Sequence, residues 1–234
     1  MKIYCSDEKY EKFLYTDFVR DLREDKSVPF IRFPDDYNGE KIAKLCCTQH
    51  TNWIWKNPDY QRKKITDSWC RFFSEKSLPL EQVQFCTRTP QKVLDSFSNQ
   101  SNVTSLRFKW LACKDITSLG KMKNLRELFI ENGSSIENIS PLAELENLDV
   151  LILGNTKKIT DYSVIGNLKN LKVLGICVYQ SSVSETIRIE SDEFIRNLNN
   201  LRYLNLWHDA YIENNTYLSP ETLKDLDYYR YSVK

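Results

Sequence analysis

The sequence predicts an α/β solenoid of about six short parallel strands, with a helical region before them and a short helix after them. Two observations carry this reading. An apolar residue, leucine in all but one copy, then two residues, a second apolar residue, one residue and a third apolar residue recur as Leu80-Val83-Phe85, Val103-Leu106-Phe108, Leu125-Leu128-Ile130, Leu148-Leu151-Leu153, Leu171-Leu174-Ile176 and Leu201-Leu204-Leu206. The starts lie 23, 22, 23, 23 and 30 residues apart, and a near-constant period of this size marks a stacked-repeat architecture. The other half of each unit repeats as well. Met122, Leu145, Leu168 and Leu198 precede the next start by three residues, and Leu119, Leu142, Ile165 and Ile195 by six. Asn124, Asn147, Asn170 and Asn200 stand directly before a strand-opening leucine. One such unit cannot bury its leucines alone; stacking units in parallel builds a continuous core.

Residues 1–76 show no period and hold 14 of the 29 aromatic residues, so they read as a region of their own. Phe13, Leu14, Phe18 and Leu22 recur at helical spacing, which predicts an amphipathic helix over roughly 7–24. Pro29 and Pro34 bracket Phe30, Ile31 and Phe33 as a short extended piece, because proline disfavours helix in the residue before it. Tyr37-Asn38-Gly39 is a turn signal. A second helix is expected over 40–47, and Asn57-Pro58-Asp59 opens another turn or helix. Thr66 or Asp67 is placed to cap a helix through Trp69, Phe72 and Phe73. The region is expected to be a mainly helical cap over the open end of the repeats; a separate ligand-binding module is the competing reading.

The repeats occupy 77–218. In LRELFIENGSSIENISPL and LDVLILGNTKKITDYSVI their spacing resembles the leucine-rich-repeat family, particularly its short bacterial, internalin-like repeats. The resemblance covers roughly 78–218 and implies a curved solenoid with its parallel strands on the concave side. It also implies protein interaction without chemistry. In that family the ninth motif position is commonly Asn or Cys. Here Leu111, Gly133, Thr156, Tyr179 and Asp209 stand there, so the ladder is expected to be absent or displaced to Asn132 and Asn155. About seven extra residues follow Cys177 and fall on the loop after the fifth strand, at one rim. Ser219-Pro220 is a good helix start, so 219–234 is read as a helical C-terminal cap.

Alternation along a strand sends the residues between the motif leucines to the open face. The centre of that face is Phe129, Val150, Ile152 and Val173, with Gly154 and Gly175 opening it. Arg107, Lys109, Glu127 and Glu131 flank it on one side, Tyr203 and Trp207 on the other, and Tyr179 stands on the rim. An apolar centre with charged and aromatic flanks has the anatomy of a protein interface. Two plainer readings stand beside it: β-branched residues suit strands, or the first third of the chain folds over them.

The charge balance, 33 basic against 32 acidic residues, argues against nucleic acid and acidic membranes as partners. No secretion-signal core and no membrane-spanning run are present, and seven scattered cysteines are unlike a disulfide framework, so a cytoplasmic monomer is expected. No nucleophile, nucleotide-binding or metalloprotease motif appears. Cys46-Cys47 with His50 is poor chelate geometry and has no second pair. A non-enzymatic module without cofactor or metal is expected, binding a protein through the concave face and the 177–188 rim, as an adaptor or a toxin-neutralising protein. An enzyme or ligand-binding module in the first third, with the repeats as substrate adaptor, is the alternative.

Overall fold

The computed structural model describes residues 2–5, 20–48, 59–178, 186–207 and 209–234. The fold is a leucine-rich-repeat solenoid. Its elements in chain order are β1 (Lys2–Cys5), β2 (Phe30–Ile31), β3 (Ile42–Leu45), α1 (Asp59–Glu75), β4 (Gln82–Pro90), α2 (Gln91–Phe97), β5 (Ser105–Ala112) and β6 (Glu127–Ile130). They continue with β7 (Val150–Gly154), β8 (Val173–Cys177), β9 (Ile187–Ser191), β10 (Tyr203–Trp207), β11 (Ala210–Asn214) and β12 (Tyr228–Val233). One sheet runs in the order β2-β3-β4-β5-β6-β7-β8-β10-β12-β11-β9, and β1 pairs antiparallel with β12.

The six predicted repeat strands are β4, β5, β6, β7, β8 and β10. From β5 to β10 their register is unbroken: Leu106, Leu128, Leu151, Leu174 and Leu204 lie side by side, as do Phe108, Ile130, Leu153, Ile176 and Leu206. All ten are fully buried in the main core. The return halves close onto the same core as short 3-10 turns at Thr117–Lys121, Ser140–Glu144, Ser163–Asn167 and Glu193–Asn197. The first three are entered through a local cap, in which Asp115, Asn138 and Asp161 accept the backbone N–H two residues on, at 2.8 Å, and Ser191 Oγ accepts the Glu193 N–H at 3.3 Å before the fourth. Asp161 is therefore turn chemistry, as its sequence context implies.

The repeated asparagines have a backbone role. Asn124, Asn147, Asn170 and Asn200 each donate from Nδ2 to a carbonyl of the preceding unit, at 2.8–2.9 Å. The side-chain ladder thus runs before the strands, while the Asn132 side chain accepts the local Ser134 N–H at 3.1 Å.

Three expected helices differ from what forms. Residues 40–47 contain β3, whose buried Ala43 and Leu45 carry the sheet one strand beyond the first repeat. Ala43 and Leu45 enter the main core while Lys44 stands beside Gln84 on the other face, an alternation that outweighs any helical reading of so short a run. The helix expected from Thr66 begins at Asp59, so Thr66 sits inside α1 and donates to the Cys47 and Arg62 carbonyls. Ser219-Pro220 opens a turn, closed by Leu223 N–H to the Ser219 carbonyl at 3.2 Å, and the chain continues as β12. That strand is rich in aromatic and β-branched residues, which fit a pleated surface, and it pairs with the free edge of β10. The helix expected over 7–24 lies for the most part outside the described residues; within 20–24 the chain turns, with Asp25 N–H on the Leu22 carbonyl.

At the opposite end, Trp69 is fully buried and stacks on Phe73 at 5.1 Å. Phe73 meets Phe97 edge-on, and Phe97 meets Phe85 of β4. The aromatics of α1 therefore cover the first repeat. Trp53 and Trp55 lie outside the described residues.

Candidate binding surface

The central row of the concave face follows from strand register alone: Lys44, Gln84, Arg107, Phe129, Ile152, Gly175, Asn205 and Arg230 stand next to one another across eight strands. Sequence alternation assigns these side chains to the correct face but not to the correct environment. The row is closed. Arg107 is 1 % exposed, and Phe129 and Ile152 are 0 %. Together with Val150 and Val173 they form a second hydrophobic cluster apart from the main core, with half-buried Tyr203 packed against it. The expectation of an open apolar patch is corrected here: covering such a patch removes apolar surface from water at about 25 cal/mol per Å². Alternation along β8 also sends Cys177 to this face, where it is fully buried.

Part of the cover comes from residues 20–25. Gln84 Oε1 accepts the Leu22 N–H at 2.6 Å, and Gln84 Nε2 donates to Asp21 Oδ1 at 3.0 Å. Arg107 Nη2 reaches Asp21 at 3.2 Å and Glu131 at 2.8 Å, and its guanidinium lies 4.0 Å from the Phe129 ring centroid. Arg23 grips Asp21 with two nitrogens and also donates to Glu131 Oε1 at 2.9 Å. Lys44 donates to the Asp25 carbonyl at 2.9 Å. Two carboxylates and two guanidiniums thus form one network across β4, β5 and β6. Burial alone would raise the Asp21 carboxyl, but the hydrogen bonds from Arg23 and Gln84 and the charge of Arg107 outweigh it and hold the group well below the ordinary carboxylate range.

Gly154 does not open the face. A Cβ there would lie 2.3 Å from the Glu131 carbonyl oxygen, a backbone atom of the neighbouring unit. Gly154→Ala is expected to force β6 and β7 apart and cost about 2 kcal/mol, read as a lower urea midpoint with an unchanged slope.

Of the predicted contact residues, Lys109 is exposed, while Glu131 is buried in the network. Trp207 belongs to β10, and Tyr179 lies outside the described residues. The exposed feature that sequence reasoning missed is Trp110, 43 % exposed beside Lys109. Beyond an irregularity between Phe85 and Arg88, β4 and β5 run on past the other strands, bringing Arg88 opposite Trp110. The Arg88 guanidinium lies 5.6 Å from the indole centroid. The signal was present as aromatic and basic residues interleaved in Arg107-Phe108-Lys109-Trp110, but alternation alone sends Trp110 to the core.

Burial pushes the Cys86 and Cys113 thiols up to about 12, which leaves them without thiolate character. Among the described residues no group of three His, Cys, Asp or Glu is placed to hold a metal. His50 and His208 lie outside those residues. An open groove of 740 Å³ lies between Phe33-Pro34-Asp35 and α1, where Lys64, Arg71 and Phe72 line it. No described helix is long and apolar enough to cross a membrane.

No family model and no curated protein matches this chain. Among solved structures it is similar to internalin C2 of Listeria monocytogenes, with 22 % identity and a TM-score of 0.47 over 67 % of this chain and 61 % of that one. It is also similar to an internalin F of the same organism, with 20 % identity and a TM-score of 0.43 over 66 % of this chain and 47 % of that one. The matched part therefore spans less than two thirds of either protein, and the likeness is one of fold.

Proposed function

We propose that the chain is a non-enzymatic protein-binding solenoid acting as a monomer. Its accessible contact surface is the rim at the C-terminal ends of the parallel strands. The carrying observation is Trp110, held exposed on that rim with Arg88 stacked against it and Lys109 beside it. Tryptophan and arginine are the residue types that most often dominate binding energy, and the two cations select a partner with surface carboxylates. The predicted 177–188 contact begins where β8 ends, at Cys177, and residues 179–185 of it lie outside the described residues. The free thiols at Cys46, Cys47, Cys70, Cys86, Cys113 and Cys177 suit a reducing cytoplasm. An adaptor leaves its partner's activity intact in the complex, whereas a toxin-neutralising protein abolishes it, so the activity of the captured partner separates these roles.

The test is co-purification from the cells of origin with the wild type and with Trp110→Ala/Arg88→Ala. Both side chains are exposed, so the variant is expected to keep its fold and lose captured partner by about 30-fold, equivalent to a hot-spot loss of about 2 kcal/mol. Equal recovery of the same partner by the folded variant would sink the rim as the contact surface.

A further inference from the structure

Residues 21–23 are a bound ligand in all but covalent connection. Gln84, Arg107 and Glu131 are each nearly or fully buried, and between them they meet Asp21, the Leu22 backbone and Arg23. The carboxylate meets Gln84 and Arg107, the Leu22 N–H meets Gln84 Oε1, and the guanidinium meets Glu131. Leu22 itself is 3 % exposed. The turn is short and self-braced, since Arg23 N–H also bonds Asp21 Oδ1 at 3.0 Å. Such a turn could be carried by the loop of another protein.

We infer that the concave groove over β4, β5 and β6 is a recognition site for a protein loop presenting aspartate, an aliphatic residue and arginine in sequence, and that Asp21-Leu22-Arg23 occupies this site in cis. The inference rests on the binding-module reading but not on Trp110. The occupant it names is a different protein, whose loop reproduces the charge order that Gln84, Arg107 and Glu131 select. Covalent attachment gives the cis turn an effective concentration that a free loop must exceed, so occupancy by the partner is competitive. Arg107 and Glu131 are also paired with each other at 2.8 Å, a charge match that does not involve the turn.

The probe is a fluorescent synthetic peptide of residues 20–28, titrated into the full chain and into Asp21→Ala/Leu22→Ser/Arg23→Ala, whose fold is checked by circular dichroism. The emptied variant is expected to bind the peptide at least tenfold more tightly than the wild type. A peptide carrying Asp21→Asn and Arg23→Gln should lose at least tenfold on the same variant. In the wild type, excess peptide should speed hydrogen exchange of the Leu22 amide, a readout available even if the triple variant does not fold. Equal affinity for both chains, no binding to a folded emptied variant, indifference to the peptide's charges, or an unchanged Leu22 amide overturns the inference. If light scattering shows the wild type to be a dimer that the peptide dissociates, the occupant is a second copy of this chain and the separate-protein assignment falls. Failure of the peptide arms alongside Trp110-dependent capture confines binding to the rim; success here with equal capture by the Trp110 variant removes the rim and leaves the groove.

Discussion

Asp192→Ala is expected to lower unfolding stability by about 3 kcal/mol, the range for stripping partners from a buried charged hydrogen-bonding group. Asp192 is fully buried and accepts the backbone N–H groups of Thr216, Tyr217 and Leu218, at 2.9, 3.1 and 2.7 Å, as well as the Thr216 hydroxyl at 3.0 Å. Alanine leaves three converging amide donors without these acceptors in the segment that carries the chain from β11 towards β12. For a protein of this size the loss corresponds to a fall in melting temperature of roughly 6–12 °C. Asp192→Asn restores one acceptor but turns an amide NH2 towards the donors, so it should recover only a minor part. A variant melting within about 2 °C of the wild type would show that the 216–218 loop is held by other contacts.

Arg107→Ala is expected to cost about 3 kcal/mol at neutral pH, because it leaves Glu131, 3 % exposed, with Arg23 as its remaining described cation and removes the group stacked on Phe129. The pair is not thereby a large net stabiliser. Arg107→Met combined with Glu131→Leu should recover much of the loss, since apolar replacement of both partners removes the desolvation cost along with the attraction. The pH dependence has a fixed sign. The folded Asp21 carboxyl is depressed below its ordinary 3.8, so its contribution is present above that value and is lost as pH falls through the lower folded one. Arg107 is one cause of the depression. The stability gap between wild type and Arg107→Ala should therefore narrow as the solution is taken below about pH 4, and urea titrations across that range measure it. A gap that widens in acid would place the network's stabilisation elsewhere.

The solenoid was legible because its information is local. A strand leucine, the turn that follows and the asparagine before the next strand all lie within one unit, and each unit repeats the evidence. The inward and outward alternation of Phe129 and Ile152 was readable for the same reason. Their burial was not. Gln84 meets Asp21 across 63 residues and Glu131 meets Arg23 across 108, and no periodicity relates those segments. The helical spacing of Phe13, Leu14, Phe18 and Leu22 describes a local face and is silent about what it meets. Asp192 was hidden differently. In the repeat alignment it takes the place of Tyr162, whose hydroxyl lies 2.9 Å from the Thr156 hydroxyl. A carboxylate substituted into that buried position signals an acceptor for donors arriving from outside its own unit. Trp110 escaped because the irregularity between β4 and β5 changes which side chains face outward, and such an offset leaves no mark on the leucine spacing.

The pairing of β1 with β12 sets an order of assembly. Tyr4 lies opposite Tyr231, so this junction joins segments separated by nearly the whole described chain, whereas successive repeat strands are neighbours about 23 residues apart. Closing a loop ten times longer costs about 2 kcal/mol more in chain entropy. Stacking can therefore proceed unit by unit as the chain emerges, while the β1 seam waits for the last strand. Until β12 arrives, the outer edge of β10 is bare, so that interval is the one in which another chain can add to it.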